Sequence, residues 1–183
     1  KTYRATIRLG ARSSTGDAEG EITETPTVVR PTQEQIEKIM VEKFSGERLQ
    51  QPPVYSALKV NGQRARDRVA RGELVELRPR LVKLYAWQVL NYSWSPLGGE
   101  LELELTVSSG FYVRSLAVEL GEALNTGAYL TALIRTEIIC DGVHYKLDHA
   151  LRPNDLEGSL ELSATVTGLV QGVGFRDFIR KQV

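Results

Sequence analysis

Tyr112 and Arg114 are the side chains in this sequence best placed to do chemistry, with Phe111 beside them. They follow Ser108-Ser109-Gly110, which interrupts the run Leu101 to Val107. That run alternates apolar and polar residues, the period of a half-buried strand. From Val113 the spacing changes, and Val113, Leu116, Ala117, Leu120, Ala123 and Leu124 fall on one face of a helix. A strand-to-helix corner exposes side chains and presents unpaired backbone N–H groups to an anion. An aromatic ring there suits a base that must be stacked, and a guanidinium suits a phosphate or carboxylate that must be held. The same residues also read as a core tyrosine and a surface arginine, and the stretch alone leaves both readings open.

Three other places carry candidate groups. Asp17 follows Gly16 in a loop rich in Ser, Thr, Gly and Asp, where a surface turn is the plain reading. Pro52-Pro53 forces an extended backbone ahead of Tyr55, either a binding edge or a structural loop. Near the C-terminus, Leu160, Leu162, Ala164 and Val166 alternate into Gly168-Leu169-Val170-Gln171-Gly172-Val173-Gly174-Phe175-Arg176, followed by a helical run. Strand, glycine-rich loop and helix can cradle a phosphate on N–H groups around Gly172 and Gly174, with Arg176 adding charge.

Composition sets bounds on these readings. The 183 residues are 42% hydrophobic and 25% charged, with 23 basic and 23 acidic side chains, so net charge gives no argument for nucleic acid. Between Lys59 and Lys83, however, Lys and Arg outnumber acids, which is either an RNA-facing stripe or a solvated face. Cys140 is the only cysteine, so neither an intrachain disulfide nor a cysteine zinc cluster is possible. His144 and His149 are poorly spaced for a metal. No apolar run approaches a membrane span and no signal peptide is visible, so the expectation is a cytoplasmic protein.

The elements that must position the candidates follow from periodicity. Lys1 to Leu9 alternates and is expected to be a strand; a short strand is expected near Glu21 to Thr23. Thr32-Gln33-Glu34-Gln35 is a capping box opening a helix over 33–44. A short basic helix is expected over Arg64 to Gly72, then strands at Leu74 to Leu77, Leu81 to Tyr92 and Glu100 to Val107, the last pairing back as a hairpin or meander. After the helix from Val113, Ala128 to Ile134 reads as another helical turn or two. Glu137 to Cys140 reads as a strand, and Leu147 to Leu151 as a short helix.

Three blocks together resemble the bacterial tRNA pseudouridine-55 synthases, the TruB family. They are Lys1-Thr2-Tyr3 through Gly10 with Thr15-Gly16-Asp17-Ala18-Glu19-Gly20; Phe44-Ser45-Gly46 with Gln51-Pro52-Pro53-Val54-Tyr55-Ser56-Ala57-Leu58-Lys59; and Ser109 to Leu116 running on to Leu133-Ile134-Arg135-Thr136. They stand in family order over roughly residues 1–157, implying a catalytic domain there and a separate segment over 158–183. The resemblance implies an α+β fold with a mixed, mainly antiparallel sheet and flanking helices. It also implies isomerisation of a T-loop uridine in tRNA to pseudouridine without cofactor or metal, the base being flipped from its stack. The partner implied is the tRNA T-arm. Carried over by motif, Tyr3 would stack on the target base with Tyr112 beside it, and Leu133 would line the pocket floor. Arg114 would pair with the catalytic aspartate, and Asp17 would join the same charge network.

The sequence departs from that family at its essential aspartate, whose Gly-x-Leu-Asp-type motif lies upstream of the Lys-x-Tyr block and has no match here. The expectation is therefore a fragment, inactive alone, of an active parent. Arg66 and Arg68 also stand where the family usually has a tyrosine and an aliphatic residue. The segment Val166 to Phe178 is similar to the phosphate loop of acylphosphatases, implying hydrolysis of a carboxyl-phosphate held by Arg176. A phosphohydrolase and a non-catalytic RNA-binding module thus stand beside the isomerase as alternatives.

Overall fold

Alternation over the opening residues gives β1 (Thr2–Leu9), and the chain builds its sheet around that strand. The computed structural model describes residues 1–25, 30–56, 58–60, 62–140 and 143–147. A short pair, β2 (Ala11–Ser13) and β3 (Ile22–Glu24), brackets the Asp17 loop. The capping box forms as its residue types require: Thr32 Oγ1 accepts from Gln35 N–H while the Gln35 side chain accepts from Thr32 N–H. It opens α1 (Gln33–Ile39). The expected helix over 33–44 then widens into a π-helical turn at Met40–Phe44, where Ser45 N–H reaches back five residues to Met40 O.

β4 (Gly46–Gln50) follows, with a small hairpin of β5 (Lys59–Val60) and β6 (Gln63–Arg64) and the short basic helix α2 (Ala65–Val69). β7 (Arg80–Ser95) and β8 (Gly98–Val107) make the long hairpin. α3 (Val113–Ala123), β9 (Ala128–Cys140) and β10 (Val143–Lys146) complete the described elements.

The main sheet has six antiparallel strands in the order β10-β9-β1-β8-β7-β4. One face is apolar because the alternation of β1 and β8 is in phase: Ala5 opposes Leu103 and Ile7 opposes Leu101, all fully buried. α1, the π-helical turn after it and α3 cover that face, burying Ile36, Met40, Leu116 and Leu120 against it. On the other face Arg4 opposes Glu104 and Arg8 opposes Glu100.

Several expectations need correction. Ala128 to Ile134 is strand, not helix: after Gly127 the backbone pairs with β1, Leu130 opposite Ile7 and Leu133 opposite Ala5. Its apolar spacing follows the helical period, and the unpaired edge of β1 overrides it. Leu74 to Leu77 forms no strand. Leu74 is almost wholly exposed, and Leu77 O is satisfied by the Gln51 side-chain amide at 2.8 Å instead of by a ladder. β2, β4, the β5–β6 hairpin and β10 have no counterpart among the expected elements. The helix expected at Leu147 to Leu151 and the whole segment 151–183 lie outside the described residues.

Candidate active site

The corner opens α3 without a side-chain cap, since Tyr112 occupies the N-cap position and makes no capping bond. The backbone there is held from β4. Gln50 Oε1 accepts from Tyr112 N–H at 2.8 Å, and Gln50 Nε2 donates to Tyr112 O at 3.0 Å. One residue on, Ser115 Oγ donates to Gln51 O at 2.8 Å. The helix start and the proline-braced loop are therefore latched together.

Arg114 is the meeting point of three segments. Its Nη1 lies 3.1 Å from Asp17 Oδ2. It also donates to Tyr55 O at 3.1 Å and Thr15 O at 3.3 Å. Asp17 Oδ1 is held separately, by Thr15 Oγ1 at 2.6 Å and Glu19 N–H at 3.2 Å. Both partners of the ion pair are roughly four-fifths buried, so solvent screens it less than a surface pair. Gly16 makes this approach possible: its φ is +79°, and a Cβ there would press on the Arg114 stem at 3.1 Å. Gly16 O accepts from Leu130 N–H at 3.0 Å, which hangs the loop on the outer edge of β9 beside the Asp17–Leu130 bridge. Among the described residues Nε and Nη2 of Arg114 take no partner, and these two atoms form one in-plane donor edge of a guanidinium.

Tyr3 lies on the sheet face that α3 covers, opposite Leu105 on β8 and Arg135 on β9. Arg135 Nε donates to its phenol oxygen at 3.1 Å, and the guanidinium carbon stands 5.2 Å from the ring centroid. Leu133 opposes Ala5, hence projects to the same face, and is 38% exposed. The C-terminal end of α3 abuts Ala128, since a Cβ on Gly121 would meet Ala128 N, and Ala128 opposes Leu9. The N-terminal end, with Tyr112 and Arg114, therefore points toward the Tyr3 end of β1.

The structure thus joins Arg114 to Asp17 and Tyr3 to Arg135, as two separate pairs. A cleft of about 290 Å³ opens between the Thr15 loop, the Pro52-Pro53 loop and the first turns of α3. Arg114 and Tyr55 line it; Tyr3, Tyr112 and Leu133 do not. Arg135 and Gln50 had no role in the sequence reading. Arg135 stood inside a matched block, whereas Gln50 gave no signal.

The basic excess between Lys59 and Lys83 is partly spent internally. Arg68 and Arg71 both pair with Glu73, at 2.6 and 3.0 Å, and hold its carboxyl below the usual glutamate range. Lys83 pairs with Glu47 at 3.6 Å. Arg78 and Arg80 are exposed. Among the described residues no group of three or more His, Cys, Asp or Glu could hold a metal ion, and no helix is long and apolar enough to cross a membrane. Gly172, Gly174 and Arg176 lie outside the described residues.

A tRNA pseudouridine synthase B from Arthrobacter sp. (strain FB24) is 43% identical over 164 residues, 88% of this chain and 52% of that protein. The one from Corynebacterium diphtheriae is 37% identical over 173 residues, 91% of this chain and 55% of its own length. The chain thus spans about half the length of the curated relatives it matches. Among solved structures, a Cbf5-Nop10-Gar1 complex is similar at 26% identity and a TM-score of 0.47, over 73% of this chain and 28% of that one. The sequence model of the TruB family pseudouridylate synthase (N terminal domain) matches residues 1–113, and the chain belongs to that family.

Proposed function

We propose that the parent protein isomerises a uridine in the T-arm of tRNA, at position 55, to pseudouridine, and that residues 1–157 belong to its catalytic domain. The N1–C1′ glycosidic bond breaks, the base turns, and a C5–C1′ bond forms. The C5 proton passes to solvent and N1 takes up a proton, so no oxidant, reductant or cofactor is consumed. The single observation that carries the reading is the Arg114 guanidinium. Asp17 and two carbonyls fix one nitrogen, while the Nε/Nη2 edge takes no partner among the described residues.

That edge matches a carboxylate bidentately and keeps it ionised. Its partner is the nucleophilic aspartate, supplied by a segment outside these 183 residues, where the family's Gly-x-Leu-Asp motif belongs. Asp17, with both oxygens engaged, acts as the anchor of Arg114 and not as the nucleophile. Tyr3 offers its ring to the extruded base, worth about 1–3 kcal/mol for one stacked base. Arg135 steadies that ring. In this reading Tyr112 and Leu133, which like Tyr3 do not line the Arg114 cleft, flank the base beside that ring.

Release of tritium from C5-labelled uridine in a tRNA T-arm tests this directly. The full-length parent is expected to release it and the 183-residue chain is not. Turnover by the chain alone would overturn the placement of the nucleophile, and no release by the parent would overturn the activity.

A further inference from the structure

Gln50 ends β4 and is 1% exposed. A polar side chain buried this completely needs partners, and Gln50 finds both on a single residue, the backbone N–H and C=O of Tyr112. Tyr112 O also accepts the first helical bond of α3, from Leu116 N–H at 3.2 Å. The glutamine amide therefore grips the carbonyl from which the helix starts. It supplies from another strand the anchoring that a capping side chain would give.

The geometry of this grip matters two residues on. Val113 and Leu116 face the core, and apolar contact is non-directional, so it fixes that the first turn is buried without fixing its rotation. Two hydrogen bonds to one peptide-bearing residue are directional. Arg114 projects from that same turn, and its open donor edge is aimed by the turn's rotation together with the Asp17 contact.

We propose that Gln50 is a positioning residue for the isomerisation: by clamping the Tyr112 backbone it sets where the Arg114 donor edge points, without itself touching substrate. The proposal rests on the function proposed above.

The test uses the full-length parent protein. Gln50→Leu keeps the volume and removes both hydrogen bonds. It is expected to lower kcat for tritium release on the order of tenfold or more, while KM for the T-arm stays within about twofold. Ile36→Val, a core change in α1, serves as a stability-matched control with native turnover. Gln50→Glu adds a signature that simple destabilisation lacks. Ionised, its carboxylate accepts from Tyr112 N–H but repels Tyr112 O; protonated, it restores the donor. Burial raises a carboxyl pKa, so turnover relative to native should climb as pH falls through that raised value. The charged groups around it are Arg48 on β4 itself with its Glu119 partner on α3, Arg80 opposite in register, and the Arg114–Asp17 pair.

Native turnover in Gln50→Leu, with only a lower melting temperature, would overturn the proposal. Where that variant does not fold, a Gln50→Glu to native ratio that ignores pH would overturn it instead. If the native parent releases no tritium, the proposed activity falls, and the side-chain N–H resonances of Arg114 decide the positioning claim. Their displacement in Gln50→Leu and not in Ile36→Val supports it; their constancy overturns it.

Discussion

The two flanks of α3 are held by different forces. Toward the sheet, Leu116, Ala117 and Leu120 are fully buried in the same cluster as Ile7, Leu103 and Leu105. Toward the loops, the first turn is held by the Gln50 clamp, the Ser115 bond to Gln51 and the Arg114–Asp17 pair. The apolar flank supplies magnitude: each fully buried leucine contributes about 1.5–3 kcal/mol over leaving it exposed. The polar flank supplies direction, because each of its contacts has a fixed donor and acceptor, and net contributions of about 1 kcal/mol apiece. One flank decides whether the helix is there. The other decides what its arginine faces.

Substitutions can break or sharpen that division. Leu103→Ala strikes the apolar flank and should lower stability by about 2–5 kcal/mol in urea unfolding. In the full-length parent, tritium release per folded molecule should stay near native; a proportionate loss of rate would mean that the two flanks are not separable. Arg114→Lys strikes the polar flank. It keeps the charge and loses the donor edge, so turnover of the full-length parent should fall on the order of a hundredfold, about 2.7 kcal/mol, with a nearly unchanged melting temperature. Thr32→Ala removes one arm of the α1 capping box, far from either flank in role, and should lower stability by about 1 kcal/mol with turnover untouched.

The smallest effect belongs to a polar cluster at the far end of β9, where the exposed His144 meets the half-buried Glu137. The His144 contact, and secondarily Thr2, holds the Glu137 carboxyl below its ordinary 4.5. A carboxyl with a lowered folded-state pKa contributes stability above its unfolded value and loses it as pH falls through the folded one. His144→Ala should move the Glu137 midpoint in a carboxyl NMR titration upward toward 4.5, with no detectable change in turnover.

The apolar flank was legible in the sequence and the polar flank only in part. Tyr3 through Leu9 and Leu101 through Val107 carry a period of two, and Val113 through Leu124 a period of three to four, so β1, β8 and α3 follow from spacing alone. β9 did not, because Leu130, Leu133 and Ile134 follow the helical spacing, and only the register shift opposite Thr6 and Ile7 puts Leu130 and Leu133 on one face of the strand. β4 is short and carries no apolar alternation, its one leucine, Leu49, being exposed, and Gln50 reads as a surface residue until the fold places Tyr112 against it. The Arg114–Asp17 pair joins residues nearly a hundred positions apart, which no local pattern reveals; motif resemblance raised it, and the geometry now gives it distances.

The strand nearest the start of the chain lies inside the sheet, with both neighbours drawn from far downstream: Thr2 meets Thr106 on one side and Glu137 on the other. Such pairings require large loops to close before any ladder forms, which places the domain among slowly folding topologies. On a ribosome, β1 must wait, unpaired and half apolar, until β8 and then β9 have emerged. A pause in translation ahead of Ala128 would leave one of its edges open, the state in which a strand is most prone to pair with another molecule.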